Sequence, residues 1–240
     1  MADLTPQAMH RTRIKICGLT READVDVAVQ AGADAIGFVL YAKSPRAVSF
    51  ERACELAARL PAFVTPVLLF VNQDTTNLVA LHEDSIRARG RFLYQFHGDE
   101  TPEQCLAAGA PFLRAARIPL EAGASFDLVK FCSDFAAAQA ILVDAHVDGF
   151  GGGGKSFDWK AQPWSHPTIN ASSRIVLSGG LTAQNVIDGI TLVRPWAVDV
   201  SSGVELSGPD GGTQKGLKDP KKIMDFIAAV RCADEILSKS

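Results

Sequence analysis

Cys17 closes a short apolar run, Arg13–Cys17, and Gly18 follows at once. Side chains alternate along a strand, so Lys15 and Cys17 share one face while Ile14 and Ile16 share the other. A thiol at that position can serve as a base once ionised, because the thiolate is the reactive form. It can equally be an ordinary buried cysteine. Asp144 ends the run ILVDA and Asp199 lies at the end of WAVDV. A carboxylate is rarely buried without a partner or a task. Asp144 is therefore either an acid or a loop cap, and Asp199 either a group at a reacting centre or an internal partner of Lys15. Arg46, in Ser44-Pro45-Arg46, can grip a carboxylate with two parallel bonds, although the fragment alone also fits a solvated arginine. His97, in QFHGDE, can meet a ligand or tie down a loop.

Glycines point to a second kind of chemistry. Gly151, Gly152, Gly153 and Gly154 precede Lys155; Gly179 and Gly180 form a pair; Ser201, Ser202 and Gly203 form a third cluster. Backbone N–H groups approach an anion closely where no side chain intervenes, and a helix start adds positive potential. Three such clusters after consecutive strands suggest a phosphate seat; tight turns are the plainer alternative. The segment Gly149–Ser156, GFGGGGKS, also fits the P-loop spacing. A P-loop leads straight into a long helix. FDWKAQPW follows here instead, so nucleotide hydrolysis is rejected.

These groups need a scaffold that brings strand ends together. Eight apolar runs read as strands: Arg13–Cys17, Asp34–Leu40, Pro66–Val71, Phe92–Phe96, Phe112–Ile118, Ala140–Asp144, Arg174–Ser178 and Trp196–Val200. Continuous apolar character suits strands covered on both faces of a parallel sheet. Helices are expected at Arg21–Ala31, Phe50–Leu60, Asp74–Arg89, Pro102–Ala108, Ala124–Ala137, Ala183–Leu192 and Pro220–Leu237, with only a short or broken helix in the sixth unit. Thr20, Ser49, Thr101, Thr182 and Asp219 stand at N-cap positions, and Gly32, Gly90 and Gly109 at C-caps. The order predicts a single-domain (β/α)8 barrel of the TIM type over residues 13–240. An open doubly wound sheet would gather its polar strand ends at one switch point, whereas here they are spread over six units. Leu206–Lys218 reads as a Gly-rich loop, and residues 1–12 as a flexible lead-in.

The bulk properties narrow the function classes. The chain has 240 residues and a net charge of −3, with acids and bases scattered along it. That speaks against a nucleic-acid or anionic-membrane surface. No apolar run approaches the ~18 residues of a membrane span, and the N-terminal stretch lacks a secretory signal. Five cysteines with no CxxC pair suggest free thiols and a cytoplasmic setting. The five histidines have no metal-binding spacing.

The ordered fragments KICGLT (Lys15–Thr20), GADAIGFV (Gly32–Val39), SPRAVS (Ser44–Ser49), QFHGDE (Gln95–Glu100) and ILVDA (Ile141–Ala145) resemble the phosphoribosylanthranilate isomerase family. So do GGGGKSFDW (Gly151–Trp159), LSGGLTAQNV (Leu177–Val186), VDVSSGVE (Val198–Glu205) and LKDPKKI (Leu217–Ile223). The resemblance implies an Amadori rearrangement in tryptophan biosynthesis, without cofactor or metal, on a small phosphorylated substrate, by a monomer or homodimer. It implies Cys17 as base, Asp144 as acid and Arg46 as the grip on the anthranilate carboxylate. The glycine loops with Ser201 and Ser202 would hold the phosphate, and Asp199 would lie near the bridging nitrogen. Lys15 would help Cys17 ionise. The sequence departs from the family pattern at Gly153, where a threonine is usual, and at Thr182, Ala183 and Gln184. These changes bear on phosphate affinity more than on the acid and base. Two alternatives differ in class: another phosphosugar barrel, such as a synthase or epimerase, and a non-catalytic binding barrel. A synthase of the indole-glycerol-phosphate type needs strand-end lysine and glutamates, but Lys15 is the only strand lysine and no strand carries glutamate.

Overall fold

The computed structural model describes residues 11–74, 77–81, 83, 92–121, 125–145, 156–172, 174–209 and 211–239. Eight parallel strands close into a barrel in chain order. They are β1 (Arg13–Cys17), β2 (Ala35–Val39), β3 (Thr65–Phe70), β4 (Leu93–Phe96), β5 (Phe112–Ile118), β6 (Ala140–Ala145), β7 (Ile175–Leu177) and β8 (Ala197–Val200). The closing pair sets Lys15 opposite Asp199 between β1 and β8. Closure leaves no sheet edge and puts all C-terminal strand ends around one mouth.

Alternation on β1 works as the sequence predicts. Ile14 and Ile16 join an outer core with Val25 and Ala28 of the helix Glu22–Ala31 and with Ile227 and Val230 of the helix Pro220–Lys239. Lys15 and Cys17 turn inward. Below them the barrel is filled by Val67, Leu113, Ala115, Leu142 and Val176, and near the mouth by Cys17, Val39, Leu69 and Val71. Each fully buried aliphatic side chain contributes about 1.5–3 kcal/mol, enough for this packing to fix strand register against the polar groups above it.

Further helices span Phe50–Ala57, Pro102–Ala107, Leu128–Asp134, Pro167–Ser172 and Val186–Val193. Residues 77–81 are helical, and the remainder of the expected third helix, with Gly90, lies outside the described residues. The sixth unit has a 3-10 turn, Trp159–Ala161, before its short helix. Ser49 and Thr101 cap as expected, the latter in a reciprocal capping box with Gln104. Two caps differ. Thr20 donates its hydroxyl to Gly216 O at 2.8 Å, so Arg21 takes the cap position without a side-chain bond. Asn185, not Thr182, precedes the helix Val186–Val193, and Thr182 bonds the intervening turn.

The largest difference concerns Leu206–Lys218. This stretch contributes to an antiparallel hairpin, β9 (Glu205–Ser207) and β10 (Thr213–Lys218), rather than a plain loop. TQKGLK has no apolar alternation because polar ties hold the hairpin. Glu205 accepts from Gly216 N at 2.8 Å and from Thr213 Oγ1 at 3.2 Å. Arg11 and Thr12, assigned to the lead-in, are tied down: Arg11 pairs with Asp34, and Thr12 N donates to Asp234.

Candidate active site

Cys17 is the last residue of β1 and Asp144 the penultimate residue of β6. They are 4% and 6% exposed, so both are nearly enclosed. A chain of polar contacts runs between their strands. Lys15 Nζ donates to Asp199 Oδ1 at 2.8 Å, and Ser178 Oγ donates to Asp199 Oδ2 at 3.4 Å. Ser178 continues β7 beside Asp144, its N–H donating to Val143 O. Asp199 thus has the internal partner that its sequence position allowed. Gly179 lies against Asp144: a Cβ there would stand 2.9 Å from Asp144 Oδ1.

His97, just past β4, brings Nε2 to 3.2 Å from Asp144 Oδ2. The approach is off the line of a hydrogen bond, and Nε2 makes none among the described residues. Gln95 Nε2 lies 3.0 Å from His97 Nδ1. With the amide nitrogen assigned to that contact, Nδ1 accepts and the neutral ring carries its hydrogen on Nε2, toward the carboxyl. Gln95 and Ser178 escaped the sequence reading, since a polar residue inside or just after an apolar run does not declare its partner.

Burial pushes the Cys17 thiol above its ordinary value, and Asp199 adds to this, while Lys15 and Lys218 oppose it. Burial alone would lower Lys15; Asp199 and then Cys17 hold it above the usual lysine range instead. The ammonium of Lys15 opposes the upward push on Cys17 but does not outweigh the loss of water.

Arg46 is buried, and Glu205 holds it in a fork: Nε donates to Oε1 at 2.7 Å and Nη2 to Oε2 at 2.8 Å. Lys218, also fully buried, donates to Ser201 O at 2.9 Å and lies 3.4 Å from Glu205 Oε1. Neither Glu205 nor Lys218 was singled out from sequence, although both lie inside family-like fragments. Burial would raise the Glu205 carboxyl, but Arg46, Lys218 and the Gly216 N–H overcome it and hold it at about 2. A depressed folded value contributes stability above the ordinary 4.5 that is lost as pH falls through about 2. Glu205→Gln should therefore cost about 3 kcal/mol or more near neutrality, since it leaves a buried cation uncompensated. It should also make urea stability less steep in acid between those two values. A wild-type acid limb in the variant would show that the pair is idle.

A cleft of about 480 Å3 opens beside the ends of β7 and β8. Gly180, Thr182, Ser202, Gly203, Lys215 and Lys222 are among its lining residues. Backbone N–H groups with nearby ammonium groups suit a phosphate. Gly179 and Ser201, grouped with the phosphate seat in the sequence, are not in this lining; Ser201 instead receives Lys218. Gly152, Gly153, Gly154 and Lys155 lie outside the described residues. Gly203 admits no side chain, because a Cβ would sit 1.9 Å from Leu181 O. Gly203→Ala should shift the loop backbone, destabilise the fold by about 1–3 kcal/mol and raise KM. Thermal melts and saturation curves check this; unchanged values would remove Gly203 from the seat.

The sequence model described as N-(5'phosphoribosyl)anthranilate (PRA) isomerase matches residues 14–229. The chain is 55% identical over 230 residues to the N-(5'-phosphoribosyl)anthranilate isomerase of Methylibium petroleiphilum, covering 96% of this chain and 99% of that one. Among solved structures, the phosphoribosyl anthranilate isomerase of Thermotoga maritima is 35% identical with a TM-score of 0.74, covering 92% of this chain and 99% of its own. A phosphoribosyl anthranilate isomerase solved with reduced 1-(o-carboxyphenylamino)-1-deoxyribulose 5-phosphate is 32% identical, with a TM-score of 0.72 and the same two coverages. The chain belongs to the N-(5'-phosphoribosyl)anthranilate isomerase family.

Proposed function

We propose that this chain catalyses the Amadori rearrangement of N-(5-phosphoribosyl)anthranilate to 1-(2-carboxyphenylamino)-1-deoxyribulose 5-phosphate in L-tryptophan biosynthesis, with Asp144 as acid and Cys17 as base. One observation carries the residue roles. A nearly enclosed thiol on β1 and a nearly enclosed carboxyl on β6 sit at C-terminal strand ends of one closed barrel, and an anion-suited cleft opens just past the ends of β7 and β8. Family membership and the solved relative with bound reduced product support the substrate class.

In this reading Asp144 gives its proton to the ribose ring oxygen. The C1′–O bond breaks, and the nitrogen lone pair forms the C1′=N bond of a protonated Schiff base. The Cys17 thiolate then takes the proton from C2′, and that electron pair closes to an enolamine, neutralising the nitrogen. Tautomerisation moves the enol proton to C1′ and leaves the ketone. His97 stands 3.2 Å from the carboxylate that Asp144 becomes, and a small turn of its ring would bring Nε2–H onto the charge left behind. Arg46, fixed by Glu205, is the group for the anthranilate carboxylate, and Asp199 with Lys15 orients the reacting centre. The cleft lined by Gly180, Ser202 and Gly203 takes the phosphate.

Residues 13–240 act as one catalytic unit. The site of action is the cytoplasm: all five cysteines are free thiols, which suits a reducing compartment. Among the described residues no helix is long and apolar enough to cross a membrane. A fluorescence assay following consumption of freshly prepared phosphoribosylanthranilate tests the activity. Rapid disappearance of the substrate signal is expected, and none above the uncatalysed rate would refute it.

A further inference from the structure

Lys218 has no role in the mechanism above, yet it is one of the most enclosed charges in the protein, with 0% exposure. It ends β10, outside the barrel, and its side chain reaches Ser201, the residue that follows β8. Its ammonium donates to Ser201 O at 2.9 Å and lies 3.4 Å from both Ser201 Oγ and Glu205 Oε1. The backbone immediately after Cys17 packs onto this assembly. Gly18 has φ +76°, and a Cβ there would stand 2.6 Å from Arg46 Cδ and 3.2 Å from Ser201 Oγ. The main chain directly after the thiol's residue therefore lies against the layer that holds Lys218.

The charges of this layer do not cancel. Lys15, Arg46 and Lys218 are three buried cations, and Asp199 and Glu205 are two buried carboxylates. Three minus two leaves one positive charge while Cys17 is a thiol, and none once it is a thiolate. Other charged groups near Lys218 are matched or turned elsewhere. Asp24, on the first helix, accepts from Lys218 N but is paired with Arg21 at 2.7 Å. Lys222 points to Glu205 O and Ser207. Tyr41 packs near Cys17, and Asp144 and His97 face the mouth from β6 and β4.

We propose that Lys218 is a positioning residue for the base: its ammonium, held by Ser201 and Glu205 behind Gly18, biases Cys17 toward the thiolate. The inference rests on Cys17 being the base. The field of Lys218 is among the effects that lower the Cys17 thiol, and that of Cys17 is among those that raise Lys218 against burial.

The test replaces Lys218 by Met and by Arg in the full chain. Two readouts are taken: the pH profile of kcat/KM, and the ultraviolet absorbance of the Cys17 thiolate as a difference from Cys17→Ser in each background. Loss of the charge in Lys218→Met should move both titrations to higher pH by about one unit, whereas Lys218→Arg should return them to the wild-type pH or below. A purely structural role would lower Tm and leave both titrations in place, which would overturn the proposal. If the Met variant does not fold, the Arg variant decides, because titrations displaced upward despite a permanent charge also overturn it. The absorbance separates the two levels of the argument. A shifted thiolate titration with an unchanged rate profile would spare Lys218 and refute Cys17 as base. An unmoved titration in a protein that Cys17→Ala inactivates would do the reverse.

Discussion

Cys17→Ala should lower kcat by about 10²- to 10⁴-fold, the usual worth of a positioned general base, with little change in KM. The thiol is 4% exposed, at the end of β1, in a buried cluster with Val39, Leu69 and Val71. Trimming one sulfur there leaves a small void among side chains that close around it, so the fold should persist. The cleft and Arg46 are untouched, so ground-state binding should persist too. In the proposed mechanism what disappears is the group that receives the C2′ proton, an interaction made only on the way to the transition state. Equal falls in kcat and kcat/KM are the signature of that loss. Cys17→Ser should be almost as impaired, because a hydroxyl in the same desolvated position ionises far less readily than a thiol. Wild-type turnover in the purified alanine variant would refute the assignment.

Asp144→Asn should cost a similar about 10²- to 10⁴-fold in kcat. Asparagine keeps nearly the same shape, and its amide oxygen can still accept from Ala145 N, as Oδ1 does at 2.8 Å. If Asp144 only capped that loop, the asparagine variant would be close to wild type. If it delivers the proton to the ring oxygen, the variant retains the loop and loses the acid. Substrate should then bind without the ring opening. Rapid-quench single turnovers check this: substrate should persist on the variant, with no Schiff base or enolamine accumulating. Fast ring opening followed by a stalled later step would move the role of Asp144 away from acid catalysis.

The barrel was legible because its strands are continuous apolar runs, and all eight observed strands overlap the expected ones. The inward turn of Lys15 and Cys17 was legible for a related reason: the isoleucines between them need the outer core. The hairpin was not, because β10 carries no apolar face and depends on Glu205, a residue 8 to 13 positions away from the groups it holds. The same long-range polar pairing hid the fork between Arg46 and Glu205. An arginine beside a proline can be read as a carboxylate grip from its own chemistry, but nothing local reveals a carboxylate 159 residues later. Ser201 shows the converse. Its place after β8 suggested an anion seat, while the fold turns it to Lys218 and leaves Ser202 and Gly203 to the cleft.

One ligand should meet the sulfur, the carboxyl and the anion cleft together. A crystal structure with reduced 1-(o-carboxyphenylamino)-1-deoxyribulose 5-phosphate tests it most directly. Cys17 Sγ should lie within about 3–4 Å of C2′, Asp144 on the side of the former ring oxygen, and the phosphate among Gly180, Ser202 and Gly203. A ligand bound with its sugar carbons out of reach of Cys17, or with its phosphate away from that cleft, would contradict it.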